Sequence, residues 1–295
     1  MKTALLILTF PALLTVAEAV SFHVKNRNNG TIVSSGERRE YLLHVPPNLD
    51  RTKPAALVLS LHGAGGWPAL QRDLSRWNEL ADREGFIVVY PAGQDSAGPR
   101  IWRMTGERDP RYIADLIDKL RREYAIDPKR IYANGLSNGG GMSFALSCRM
   151  PDRFAAIGMV GAALLLPSTW CKSTEPVPMI GIHGLRDTMA PYHGGSSWVA
   201  PSFAPFPAFG ADWARRNRCA SNARDVEIRD GVTRREYEQC ANDATVALYS
   251  LRDGGHTWPG GAELPEWFAG KTIHDFDATA EMWRFFEQHP RRSNP

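Results

Sequence analysis

Six short runs of continuously apolar residues separated by longer stretches with helical spacing restrict this chain to few architectures. The runs are residues 55–62, 86–90, 130–134, 155–160, 177–183 and 246–251. Continuous rather than alternating apolarity is the mark of strands buried on both faces. The intervening segments, about 69–84, 109–124, 138–150, 207–217 and 276–287, read as helices; Ile113, Leu116, Ile117 and Leu120 fall at i, i+3, i+4 and i+7. Strands alternating with helices predict an α/β protein with a mostly parallel central sheet and helices on both faces. Residues 38–45 (RREYLLHV) alternate more and suit an antiparallel edge strand ahead of the parallel set.

The N-terminus reads as a leader. Lys2 supplies a positive charge, Ala4 to Val16 an apolar run too short to span a bilayer comfortably, and Ala17-Glu18-Ala19 a small-x-small cleavage site. Residues 1–19 are thus expected to be a signal peptide and 20–295 a single domain, secreted to an extracellular or periplasmic space, with no membrane association once the leader is removed. No repeat, low-complexity tract or polar linker divides the remainder. Export makes disulfides permissible. Cys148, Cys171, Cys219 and Cys240 allow three pairings, of which nearest-neighbour pairing closes two short loops and is preferred. No C-x-x-C is present, which argues against zinc. With 35 basic and 32 acidic residues and no basic run, a nucleic-acid partner is not expected.

Gly135-Leu136-Ser137-Asn138-Gly139 is a G-x-S-x-G pentapeptide between a strand run and a helical stretch. A strand, sharp turn and helix in that order hold a serine hydroxyl exposed in a strained conformation beside the free N–H groups of a helix N-terminus. The bland alternative is a glycine-rich helix entry capped by serine. A serine hydroxyl needs a base, and this architecture places the acid and then the histidine downstream. His256, in the loop Asp253-Gly-Gly-His256-Thr-Trp-Pro-Gly-Gly261, follows the last strand run, where α/β sheets place their sites. His183 reads as structural, His274 lies in a polar loop and His289 near the tail. Asp187 directly follows the strand run ending at His183; Asp253 is too close to His256 without a tight turn. The expected catalytic set is Ser137, Asp187 and His256. Oxyanion donors are expected from the N–H of Asn138 and from the loop His62-Gly63-Ala64-Gly65-Gly66, with Ala64 chosen ahead of Gly63 and Gly65 and His62 taken as structural. A phosphate loop is discounted because no G-K-[ST] follows. Trp258 and Trp102 are chosen as substrate-binding walls, and the aromatic, proline-rich stretch 196–209 is either a packed loop or a lid.

The segments LHGAGG (61–66), DPKRIYANGLSNGGGM (127–142), PDRFAAI (151–157), HGLRDTMAPYHGG (183–195) and GGHTWPGG (254–261) resemble the α/β-hydrolase family of polyhydroxybutyrate depolymerases and feruloyl and acetylxylan esterases (carbohydrate esterase family 1-like). The resemblance runs from about residue 38 to 287. It implies the α/β-hydrolase fold, Ser137 as nucleophile, Asp187 as acid, His256 as base, and two disulfides among the four cysteines. The 196–209 segment looks longer and more aromatic than the family's usual pattern. The expected function is a secreted serine carboxylesterase, working through an acyl-enzyme without metal or organic cofactor. Its expected substrates are feruloyl or acetyl esters of plant polysaccharide. Poly(3-hydroxybutyrate) or its oligomers are the alternative substrate. A peptidase of the same fold, or a non-catalytic ligand-binding hydrolase homologue, are the readings from other classes.

Overall fold

A computed structural model describes residues 27–94 and 100–292. The leader assigned to residues 1–19 lies outside the described residues. Ten strands form one sheet in the order β1-β2-β4-β3-β5-β6-β7-β10-β9-β8. The strands are β1 (Gly30–Ser34), β2 (Glu37–His44), β3 (Ala55–Leu61), β4 (Ile87–Pro91), β5 (Ile126–Leu136), β6 (Ala156–Val160), β7 (Met179–Gly184), β8 (Arg224–Arg229), β9 (Val232–Tyr237) and β10 (Val246–Leu251). The six apolar runs become β3 to β7 and β10, all mutually parallel. β2 pairs antiparallel with β4 as its alternation predicts, yet it is not the edge. β1 covers its outer side through a tight turn at Ser35 and Gly36, both at positive φ.

The two faces of each central strand feed two separate cores, because side chains alternate across a sheet. In β3, Leu57, Leu59 and Leu61 enter one core while Ala56 and Val58 enter the other. The first core is closed by α3 (Arg108–Glu123), α4 (Asn138–Arg149) and α5 (Phe206–Arg216). The second is closed by α1 (Pro68–Ser75), α2 (Trp77–Glu84) and α7 (Ala278–Gln288), and α6 (Glu266–Ala269) is a single turn between them in sequence. The helix expected over 69–84 is therefore two. Arg76 sits in the left-handed region at φ 56°, which turns the chain so that Trp77 enters the core against Phe86 and Phe286. Tyr132 and Phe286 stack at 4.6 Å, and Phe86 and Trp283 at 3.9 Å, so this core is largely aromatic.

Cysteine pairing follows the nearest-neighbour expectation. Cys148–Cys171 ties the C-terminal end of α4 to the turn at residues 168–170, and Cys219–Cys240 ties the end of α5 to the end of β9. Each loop closed in this way removes conformational freedom from the unfolded chain. Among the described residues, no helix is long and apolar enough to cross a membrane.

One buried ion pair ties β2 to Ala92, Arg103 and the start of α3. Arg39 Nη2 lies 2.8 Å from Asp109 Oδ1 and 3.1 Å from the Ala92 carbonyl oxygen, and its guanidinium covers the Tyr112 ring. The other carboxylate oxygen of Asp109 accepts the Arg103 N–H at 2.8 Å. Removing one member strands the other charge without water. Asp109→Ala is expected to lower the unfolding free energy by about 3–5 kcal/mol, measured by urea denaturation; a loss below about 1 kcal/mol, typical of an exposed pair, would contradict that reading.

Candidate active site

The serine elbow is made by three chain segments that touch through backbone. β3 and β5 run side by side with Leu61 opposite Gly135, and β5 and β6 with Leu136 opposite Val160. The chain then reverses at Ser137, whose φ of 54° and ψ of −117° are rare for a residue with a side chain. The turn closes only because glycine flanks it. A Cβ on Gly139 would lie 2.2 Å from the Leu61 carbonyl oxygen, and one on Gly135 would lie 2.5 Å from the Gly139 carbonyl carbon. Ser137 N–H donates to Val160 O at 2.9 Å, and Ser137 O accepts from Gly141 and Ala163 at 3.0 Å each. The backbone at this position is thus fixed from three sides while the side chain stays half-buried and reachable.

Asp187 and His256 meet at the ends of neighbouring strands. β7 and β10 pair in parallel with Gly184 opposite Leu251, so the loops after them leave the sheet together. His256 Nδ1 lies 2.7 Å from Asp187 Oδ2. The other oxygen, Oδ1, accepts the N–H groups of Met189 and Ala190 at 2.9 and 2.8 Å. His183 Nε2 adds a further contact at 3.2 Å to Oδ2 while lying 2.8 Å from the Ala190 carbonyl oxygen. Burial acts to raise the Asp187 pKa, but hydrogen bonds from His183 and His256 outweigh it and hold the carboxyl well below the usual carboxylate range. The carboxylate therefore stays ionised, and its contact with Nδ1 leaves Nε2 as the ring nitrogen able to accept a proton. The His256 backbone is pinned by its N–H to the Ala269 carbonyl oxygen.

These groups converge on the elbow through Gly161, one residue beyond the Val160 carbonyl that holds Ser137. A Cβ there would lie 3.3 Å from His256 Nδ1 and 3.4 Å from Asp187 Oδ2. Ser137 and His256 make no direct side-chain hydrogen bond to each other.

The loop after β3 lies against the other side of the elbow, with a Cβ on Gly63 falling 3.5 Å from Ser137 Cβ. Its amides are divided. Gly65 N–H donates to Arg100 O and Gly66 N–H to Gly63 O, whereas Ala64 N–H has no backbone acceptor among the described residues. Asn138, as the first residue of α4, also has no intrahelical acceptor for its N–H. Its side chain is occupied elsewhere, accepting from Trp102 N at 2.6 Å and donating to Trp102 O at 3.2 Å.

Two residues chosen as pocket walls are placed differently. Trp258 is fully buried, and its indole N–H donates to Thr279 Oγ1 at 2.9 Å, so it packs beneath the His256 loop. Trp102 is 2% exposed and donates to the His62 carbonyl oxygen at 3.0 Å, bracing the loop that holds Ala64. Neither ring presents a face to solvent. Within 196–209, Phe203, Phe206 and Phe209 are buried, the last two on the first turn of α5, and Gly195 and Phe203 exchange two backbone hydrogen bonds. Trp198, at 67% exposed, and Val199, at 47%, face solvent.

The second contact on Asp187, from His183, is what the sequence reading passed over. Its signal was the i, i+4 spacing of His183 and Asp187 across a strand end, a spacing with no fixed meaning outside a helix. Among the described residues no cluster of three or more His, Cys, Asp or Glu could hold a metal ion.

A sheet of this order with a strand–serine turn–helix at its C-terminal edge defines an α/β-hydrolase. Within that class the chain belongs to the esterase PHB depolymerase family, whose model matches residues 39–170. It is similar to NocK of Nocardia uniformis subsp. tsuyamanensis, named as an esterase, at 31% identity over 78% of this chain and 73% of that protein. It is 28% identical to feruloyl esterase C of Emericella nidulans over 84% of this chain and 83% of that protein. A bifunctional acetylxylan esterase/xylanase of Neocallimastix patriciarum is 34% identical over 53% of this chain, which spans 22% of that protein's length. Among solved structures, the acetyl xylan esterase of Aspergillus awamori shares the fold, with a TM-score of 0.60 over 84% of this chain and 94% of that one at 17% identity. The chain is accordingly an ester hydrolase of this family.

His62 gives the site a pH limit of its own. Gly93 N–H donates to its Nε2 at 2.9 Å, so the proton sits on Nδ1, which donates to Gly63 O at 2.7 Å. Burial lowers its pKa from 6.5 to about 4. The folded protein thus holds a neutral ring that the unfolded chain protonates below pH 6.5. The resulting stability is present in full above that pH and is lost as pH falls towards 4, about 3 kcal/mol in all. Urea denaturation at pH 7.5 and 4.5 is expected to show this fall, with a flatter pH dependence in His62→Gln; an equal slope in the two proteins would assign the acid sensitivity to other groups.

Proposed function

We propose that this chain is a serine carboxylesterase, exported by removal of residues 1–19, that hydrolyses feruloyl or acetyl esters carried on plant polysaccharide. The observation that carries the mechanism is the joint placement, around Gly161, of the Asp187–His256 pair and the Ser137 elbow. Substrate class is supported by the names of relatives, feruloyl esterase C among those aligned over most of their length. The two disulfides agree with an oxidising destination.

In this reading Ser137 Oγ attacks the ester carbonyl carbon as His256 Nε2 takes its proton. Asp187 holds the imidazole in the productive tautomer and stabilises the imidazolium; its own proton affinity is too low for it to take the proton. The oxyanion forms against the N–H groups of Asn138 and Ala64, both fixed by backbone before substrate arrives. Collapse releases the alcohol with the proton from His256. Water, deprotonated by the same ring, then attacks the acyl carbon; its bond to Ser137 Oγ breaks, His256 returns the proton to Oγ, and the carboxylic acid leaves. Asn138 serves twice, its side chain locking Trp102 while its amide faces the reacting oxygen.

A second reading keeps the chemistry and changes the substrate to poly(3-hydroxybutyrate) oligomers, on the strength of the family description. A panel of methyl ferulate, acetylated xylan and hydroxybutyrate oligomers separates the two. For the mechanism, Ser137→Ala is expected to lower kcat on a p-nitrophenyl ester by at least roughly four orders of magnitude with an unchanged melting temperature. Asp187→Asn is expected to lower it by about 10⁴-fold. Turnover retained in Ser137→Ala would refute the assignment.

A further inference from the structure

Three aromatic rings form a continuous exposed ridge beside the site. Trp267 is 88% exposed, Trp198 67% and Phe268 41%. Phe268 is the link, its ring centroid 5.8 Å from Trp267 and 6.0 Å from Trp198. Single exposed hydrophobic residues are ordinary on a soluble protein, but a contiguous aromatic cluster calls for a partner.

The ridge is built on the two loops that carry the acid and the base. Phe268 precedes Ala269, whose carbonyl oxygen holds the His256 N–H at 2.6 Å. Gly255 packs against the same turn so closely that a Cβ on it would lie 2.3 Å from Ala269 O. On the other side, Ser197, next to Trp198, donates from its hydroxyl to the Met189 carbonyl oxygen at 2.7 Å, two residues past Asp187. A molecule lying on the ridge is therefore held in fixed relation to Asp187 and His256.

We propose that this ridge is a platform for the polysaccharide part of the substrate, on which pyranose rings stack while the ester they carry enters the site. The inference rests on the esterase reading above and specifies what holds the alcohol side of the ester. Ring geometry favours sugars as the occupant. The Trp267 and Trp198 planes are inclined to Phe268 by 60° and 55°. Tilted rings offer separate faces of about one pyranose each, matching a chain of sugar rings that turns between units; the flat surface of a crystalline polyester would need a level apolar patch instead. The C–H groups on a pyranose face are drawn to the negative face of an aromatic ring, and indole N–H groups can reach sugar hydroxyls. Residues 193–205 and 262–270 contain no lysine or arginine and two glutamates, Glu263 and Glu266, so this surface disfavours an anionic chain.

The test compares Trp267→Ala and Trp198→Ala with the natural chain on feruloylated arabinoxylan and on p-nitrophenyl acetate. The ratio of kcat/KM on the polymer to that on the small ester is expected to fall about five- to tenfold in each variant, mainly through KM. Val33→Ala, a change at another exposed apolar residue far away on β1, is the control whose ratio stays put. Co-sedimentation with insoluble arabinoxylan, performed in the Ser137→Ala background, reads the platform without turnover and is expected to weaken to the same extent. An unchanged ratio with unchanged sedimentation would overturn the proposal, as would a loss confined to poly(3-hydroxybutyrate) particles or a dimer that dissociates in Trp267→Ala. A natural chain that fails on every feruloyl and acetyl ester while cleaving p-nitrophenyl acetate would instead remove the substrate reading, and sedimentation would still decide the ridge.

Discussion

The contact between Gly139 and the carbonyl oxygen of Leu61 sets the geometry on which the site depends. It brings the start of α4 against the end of β3 so closely that no side chain fits between them. Ser137 is consequently forced into a conformation that few residues adopt, and the strain is held by hydrogen bonds to Val160, Gly141 and Ala163. The same closeness lays Gly63 beside the serine where α4 begins. Elbow, β3 loop and helix N-terminus are one packing event.

Around that event the protein spends its buried polar groups on fixing loops. Arg39 and Asp109 hold Ala92 and Arg103 by their backbones. Asn138 and Trp102 clasp each other through two hydrogen bonds, and Trp102 reaches on to His62. His62 in turn joins the loops after β3 and β4. Asp187 is satisfied by two backbone N–H groups and two histidines. Preorganised dipoles of this kind do not have to reorient when charge develops, which is the main source of catalytic advantage in an acyl-transfer site.

Much of this was legible in the sequence because it depends on local patterns. Continuous apolar runs gave the parallel strands, and a serine between glycines at a strand–helix junction gave the elbow. The loops after β7 and β10 pointed to Asp187 and His256, which the structure brings within 2.7 Å of each other. What stayed hidden was decided by partners distant in sequence. The β8–β9 hairpin is built from charged, exposed residues around Asp230-Gly231, so apolarity gave no signal. Trp258, two residues past His256, and Trp102 are the aromatic residues chosen as pocket walls, yet each has a buried hydrogen-bond acceptor, Thr279 and the His62 carbonyl, that draws it inward. Trp267 and Phe268 drew no notice, because a four-residue helix shows no periodicity and exposure depends on the whole fold.

The central claim, that Ser137 is a nucleophile activated by the His256–Asp187 pair, is tested most directly by incubating the protein with a fluorophosphonate and mapping the adduct by mass spectrometry. The account requires one adduct per chain, on Ser137, with labelling abolished in His256→Ala. No adduct, or one on another side chain while Ser137 remains unmodified, would contradict it.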